Sequence, residues 1–287
     1  MADTASPQTH SFDAAVALEP LTADAPAGTA RRWRGHTSPA YANMVGPYGG
    51  ITAAQAMQAL MLHPDRLGTP VSLTVNYAAA LTDGPFTVEA DPVRTNRSTQ
   101  HWLLTIRQSD DSGAESVVFT GTALTALRRE TWSAADLPQP EAPAPDTVTR
   151  LPRQNVLPWI NSYDMRWYEG GIPMDWDGQE SDSSVTALWV RDEPPRPLDF
   201  ASLTAMADVF FPRVYLRRAK RVPAGTVSMT VYFHADEAML AAHGDKYLLA
   251  QARGQRYFNG YFDQTGALWS EGGQLLVTTH QIVYFKE

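Results

Sequence analysis

The chain contains no cysteine, which excludes disulfides, thiolate metal ligands and a cysteine nucleophile and suits a reducing compartment. No apolar run approaches the ~18 residues that a membrane-spanning helix needs. Positive charge is in deficit: 23 Lys and Arg stand against 31 Asp and Glu, a net charge of −8. An acidic chain repels phosphate backbones and anionic headgroups, so neither nucleic acid nor a membrane surface is an expected partner. The opening MADTASPQTHSFDAA has neither a basic region nor an apolar core. No secretory signal is read there, and a cytoplasmic location is expected. The seven histidines show no metal-ligand spacing, so no metal site is expected. There is no Gly-x-Ser-x-Gly elbow, no phosphate loop and no dinucleotide fingerprint. With 44% hydrophobic residues over 287 positions, the chain can nevertheless bury a sizeable core.

What is present is a repeat. VSLTVNYAA at Val71–Ala79 and VSMTVYFHA at Val227–Ala235 agree at five of nine positions, at an offset of 156 residues. A helical stretch precedes each copy and further strands follow it. In the first half, Ala53, Met57, Leu60 and Met61 recur at helical spacing after GPYGG (Gly46–Gly50), and Pro64 closes the helix. Alternation marks strands at Val71–Ala79, Phe86–Thr95, Gln100–Gln108 and Ser116–Leu127, and an irregular one is read at Phe12–Leu18. From Arg128 to Pro158 the periodicity stops. Pro138, Pro140, Pro143, Pro145, Pro152 and Pro158 mark a stiff linker passing over the surface.

The second half is expected to repeat this plan. Strands are read at Met165–Gly170 and Ser184–Asp192, a helix at about Asp199–Leu216, and a strand at Thr226–His234. KYLLAQARGQ, RYFNGYFD and GALWSEGGQLLVTTHQIVYF supply three more strand segments, with Asp263–Gly266 as a hairpin turn. One helix followed by antiparallel strands, written twice, is an α+β plan. It divides the chain into domains at 1–130 and 159–287, joined by the linker 131–158.

Four patches resemble the acyl-CoA thioesterase II family and its thioesterase-like relatives. They are GPYGGITAAQAMQA (Gly46–Ala59), SLTAMADVFFP (Ser202–Pro212), GTVSMTVYFH (Gly225–His234) and FDQTGALWSEGGQ (Phe262–Gln274). The resemblance covers roughly Phe12–Phe285. It implies a tandem double hot-dog, each half an antiparallel sheet wrapped around one long helix. It also implies hydrolysis of an acyl-CoA thioester, without metal or cofactor, by a water that a carboxylate, a hydroxyl and a glutamine of the second half hold. Carried onto this sequence, these groups fall on Asp208, Thr226 and Gln274.

The residues by themselves leave plainer readings open. Leu203, Met206, Ala207 and Phe210 form an apolar helical stripe, and Asp208 lies on the far side from it, as a solvent-facing aspartate would. In a hot-dog that far side would face the partner helix and the substrate. Thr226 reads equally as a strand-start hydroxyl. Gln274 follows Gly272-Gly273, either a bulge that re-aims it or an ordinary exposed strand position. Subtracting the offset leads from Asp208 to Thr52 and from Thr226 to Pro70, so chemistry is expected in the second half alone. Tyr48, Gly49 and Gly50 open a helix. Glycines there let backbone approach a ligand and present N–H groups to it, or simply permit close packing. Arg217, Arg218, Lys220 and Arg221, in the densest basic run, suit the phosphates of coenzyme A, or else offset a helix dipole. Two other functions stay open: a non-catalytic acyl-binding hot-dog protein, and a hot-dog hydratase or dehydratase, against which the missing Asp-x-Asn-Pro-x-His motif counts. A homo-oligomer formed through the sheets is left open too.

Overall fold

Period-two alternation becomes strand nearly everywhere it occurs. The computed structural model of the protein describes residues 9–22, 25–153, 155 and 157–287, and the polar opening of the first expected domain, residues 1–8, lies outside these. The first half forms α1 (Ser11–Ala15), β1 (Glu19–Pro20), β2 (Arg31–His36), α2 (Gly49–Met61), β3 (Thr69–Tyr77), β4 (Pro85–Thr95), β5 (Thr99–Ser109) and β6 (Glu115–Ala126). The strand expected at Phe12–Leu18 is instead the helix α1 and its C-cap, with Phe12, Ala15 and Val16 buried together. Their spacing of three and four residues is that of one helix face. The His10 ring caps this helix by accepting from the Phe12 N–H at 3.0 Å. In α2 the residues Gly50–Met57, Ala59 and Leu60 are all buried. A helix apolar around its whole girth must be enclosed, and α2 packs inside the curved sheet.

The second half forms β7 (Tyr163–Glu169), β8 (Thr186–Asp192), α3 (Phe200–Met206), α4 (Arg213–Arg218), β9 (Ala224–Phe233), α5 (Glu237–His243), β10 (Leu248–Arg253), β11 (Tyr257–Phe258), β12 (Tyr261–Ser270) and β13 (Leu275–Phe285). Two expectations are corrected. The single helix over Asp199–Leu216 is two short ones, and Ala207–Pro212 between them is not helical. Pro212 has no N–H to give a helix and disfavours helical backbone at Phe211. A capping box of Asp199 and Ser202 starts α3. The turn expected at Asp263–Gly266 is the middle of β12, and the chain turns at Glu271–Gln274 instead. The tight turn before β12 is Asn259-Gly260, both at positive φ, the dipeptide suited to a two-residue hairpin.

The strands join one antiparallel sheet in the order β1-β2-β4-β5-β6-β3-β9-β13-β12-β10-β8-β7, with β11 on β12. From β2-β4-β5-β6-β3 to β8-β10-β12-β13-β9 the order is repeated in mirror sense. The strands that carry the sequence repeat are the ones that meet. In the β3–β9 pair Thr74 stands opposite Thr230, its own counterpart, and their hydroxyls lie 3.0 Å apart. An approximate two-fold axis therefore passes between them. Both copies also bulge at the same repeat position, Val71 in β3 and Val227 in β9. The linker crosses the outer face of the second-half strands. Trp189 Nε1 donates to the Pro143 carbonyl at 2.8 Å, and Gln139 Nε2 to the Ser270 carbonyl at 3.1 Å.

Candidate active site

Asp208 follows α3, where the chain leaves the helix. The expected wheel does not extend to it, and its carboxyl is buried, with 8% of the residue exposed. The N-terminus of α2, from the other half, covers it. The Gly50 N–H donates to the carboxylate, and a Cβ on Gly49 would stand 2.9 Å from Asp208 Oδ2. Only a residue without a side chain lets the helix start come this close. Burial pushes the Asp208 carboxyl up to about 7, against the opposing effect of the hydrogen bonds from Gln281 and Gly50. The positive end of a 13-residue helix favours the ionised form in the same way.

The glutamine joined to Asp208 is Gln281, not Gln274. Gln281 Nε2 donates to Asp208 Oδ1 at 2.7 Å, and Thr226 Oγ1 donates to Gln281 Oε1 at 3.1 Å. Gln281 is 2% exposed. The bulge that re-aims a side chain is the one at Val227. It puts Thr226 opposite Val283 and so on the inner face with Met229 and Gln281. Gln274 sits exposed at the β12–β13 turn, where its backbone N–H and carbonyl bond to Ser270. Gln281 is a polar residue at an inward position of an alternating strand, between Val277, Thr279 and Val283. That phase is legible once the strands are divided at the Glu271–Gln274 turn.

The repeat extends to this position. Gln281 lies opposite Met229 and Ala123 opposite Leu73, and Leu73 and Met229 are counterparts. The first half thus has Pro70 and Ala123 where the second has Thr226 and Gln281, and the repeat offset sets Thr52, inside α2, against Asp208.

The remaining expected residues separate into two places. Tyr48 is not a free contact for a ligand. It is buried, its hydroxyl donates to the Ala205 carbonyl at 2.6 Å, and its ring stacks on Trp159 at 4.2 Å. A Cβ on Gly50 would meet that same Ala205 carbonyl oxygen at 2.5 Å, so Gly50 is where α2 and α3 touch. The basic run lies on and beyond α4. Arg218 pairs with Glu180 at 3.2 Å and Glu287 at 2.6 Å, and Arg217 Nη1 donates to the Asp182 carbonyl at 2.9 Å. Arg221 sits 4.8 Å over the Trp176 ring, and Lys220 is exposed. A cleft of about 100 Å³ opens between Arg217, Arg218, Tyr257 and Phe285. No helix among the described residues is long and apolar enough to cross a membrane.

Residues 38–126 match the acyl-CoA thioesterase N-terminal domain and residues 134–285 the acyl-CoA thioesterase C-terminal domain. The chain belongs to the acyl-CoA thioesterase family. Among solved structures it is similar to a conserved protein of unknown function with a hot-dog fold from Alicyclobacillus acidocaldarius, at 45% identity and a TM-score of 0.86, over 98% of this chain and 99% of that one. The tesB protein from Mycobacterium avium subspecies paratuberculosis aligns at 18% identity and a TM-score of 0.72, over 96% of this chain and 98% of that one. The acyl-CoA thioesterase II TesB2 from Mycobacterium marinum aligns at 17% identity and a TM-score of 0.71, over 96% and 98%. The last two bear on the fold alone. No curated protein sequence matches the chain. The fold is a hot-dog fold built on one large antiparallel sheet.

Proposed function

We propose that the protein hydrolyses an acyl-CoA thioester to the free acid and coenzyme A with a water held by Asp208, Gln281 and Thr226. The observation that carries this is the buried chain of hydrogen bonds Thr226–Gln281–Asp208 set against the start of α2. Asp208, with its carboxyl raised to about 7, takes a proton from the water near neutral pH, where a general base works best. Gln281 and Thr226 fix the carboxylate and the water. The water oxygen bonds to the thioester carbon, the tetrahedral species breaks its C–S bond, and the proton on Asp208 passes to the departing thiolate. Such a leaving group needs neither a covalent intermediate nor a cofactor.

Gly49 and Gly50 serve by letting the helix start reach the carboxylate, and Tyr48 by holding α3 against it. The phosphates of coenzyme A are received at the basic run, by Lys220 and Arg221 and by Arg217 and Arg218 beside the cleft. We read the chain as two hot-dog units, 1–130 and 159–287, around a pseudo-two-fold axis, with 131–158 as the strap between them. The first unit is scaffold apart from the start of α2, which it brings to Asp208.

Thiol release from acyl-CoAs of graded chain length tests this reading. Release by the wild type that Asp208→Asn and Gln281→Leu abolish supports it. No release from any acyl-CoA sinks the activity, and release untouched by both substitutions sinks the site.

A further inference from the structure

Two buried polar groups beside Gln281, an amide nitrogen and a hydroxyl, have no hydrogen-bond partner among the described residues. Gln264 lies directly across the β12–β13 ladder from Gln281, so their Cβ atoms are neighbours at ~5 Å on one face of the sheet. Gln264 is 1% exposed, and its Nε2 has no hydrogen-bond partner among the described residues. Thr279, two residues before Gln281 on the same face, is 3% exposed, and its hydroxyl also lacks a partner among the described residues. Opposite Thr279 is Gly266, where a Cβ would meet Thr279 Cγ2 at 2.9 Å and Phe210 Cε2 at 3.0 Å. Phe210, two residues after Asp208, thus lies over the sheet at Gly266, which stands opposite Thr279 and two residues from Gln264.

The first half lacks this set. The ladder pair Gln264–Gln281 corresponds to Trp102–Ala123, and Gly266–Thr279 corresponds to Leu104–Gly121. At these two ladder pairs, the polar side chains stand in the second half, beside Asp208. Meanwhile the Gln281 amide and the Thr226 hydroxyl are engaged with each other and with Asp208, which also takes the Gly50 N–H. A buried amide without an acceptor is costly, and its retention next to a site calls for a ligand atom that completes it. A plain hydrocarbon chain lying over this face would leave both groups unpaired.

We infer that Gln264, helped by Thr279, hydrogen-bonds an oxygen carried by the acyl group, and that the preferred substrates are acyl-CoAs with a hydroxyl or keto oxygen close to the thioester. This rests on the hydrolytic reading of the same site. A site built to bond a substrate oxygen rejects the analogue without it far more strongly than an apolar pocket rejects a size change.

The test compares saturated, β-hydroxyacyl and β-ketoacyl-CoA of one chain length on wild type, Gln264→Leu and Thr279→Val. It also measures equilibrium binding of the non-hydrolysable thioether analogues of the saturated and β-hydroxy compounds. The wild type is expected to favour an oxygenated substrate in kcat/KM by at least about tenfold. Gln264→Leu should erase that ratio while keeping the saturated rate and an undiminished Tm, because it removes an unpaired polar group. Thr279→Val, close in shape, should weaken the ratio and provides the measurement should Gln264→Leu fold poorly. A wild type without preference overturns the inference, as does a preference that survives both substitutions. A Gln264→Leu that slows every substrate alike also overturns it, since the amide would then serve the thioester carbonyl. If the wild type hydrolyses none of the three, the hydrolytic reading fails, and equal binding of the two thioethers would overturn the inference separately.

Discussion

Replacing Asp208 by Asn should make the protein inactive and, at alkaline pH, relatively more stable. The carboxyl is raised in the fold from 3.8 to about 7 by burial. The neutral form is therefore the one the fold prefers. The stability tied to it is fully present below 3.8 and is lost as pH rises through about 7. At about 1.4 kcal/mol for each pH unit, the full penalty of ionisation in the fold is about 4 kcal/mol. Asn stays neutral throughout and keeps an acceptor for Gln281, but its amide cannot accept from Gly50 as the second carboxylate oxygen can. That lost bond is a roughly constant cost. The stability difference between variant and wild type should then move in favour of the variant by about 3 kcal/mol between about pH 5 and pH 8. In a chain of this size that is a relative Tm change of roughly 6–12 °C. Asp192, also buried and raised to about 7, bends the wild-type curve as well but cancels in the difference. Thermal unfolding of both proteins at the two pH values, with thiol release on the same samples, reads the result. A Tm difference that does not change with pH refutes the buried, raised carboxyl, and a variant with the wild-type rate refutes its role as base.

Gln281→Leu should lower thiol release by about 10²-fold or more, whereas Gln274→Ala, at an exposed turn, should change neither rate nor Tm. Gly50→Ala drives a Cβ to 2.5 Å from the Ala205 carbonyl oxygen, and a loss of about 1–3 kcal/mol in chemical denaturation is expected. Gly49→Ala meets a side-chain oxygen, Asp208 Oδ2, at 2.9 Å. It should cost rate more than stability, read as a fall in kcat with a small shift in denaturation midpoint. The pH profile of kcat/KM should rise with a midpoint near 7 as Asp208 ionises, and Glu at the same position should displace that midpoint while Asn removes the limb.

The acyl-CoA thioesterase family was legible in short motifs, and most strand positions in simple alternation, because each strand buries one face. The repeat at an offset of 156 residues marked two equivalent strands, and that they pair with each other, about Thr74 and Thr230, is seen only in the structure. Local signals failed where two of them competed. Asp263–Gly266 has turn composition yet lies inside β12, because Phe262, Gln264 and Leu268 must face the core. Asp236 caps the start of the helix Glu237–His243 and Gly244 ends it, short local signals without a long apolar period between them.

The site itself was decided by the tertiary structure. On its own helix Asp208 had a solvent-facing position. It is buried because α3 stops at Met206 and a helix some 150 residues earlier in the chain lands on it. Gln281 rather than Gln274 meets it because strand register, which local sequence does not encode, sets which inward residue of β13 lies beneath the carboxylate. Sequence determined which strands and helices form. Only their packing placed a carboxyl, an amide and a hydroxyl in one buried corner, where burial raises the acid toward neutral pH.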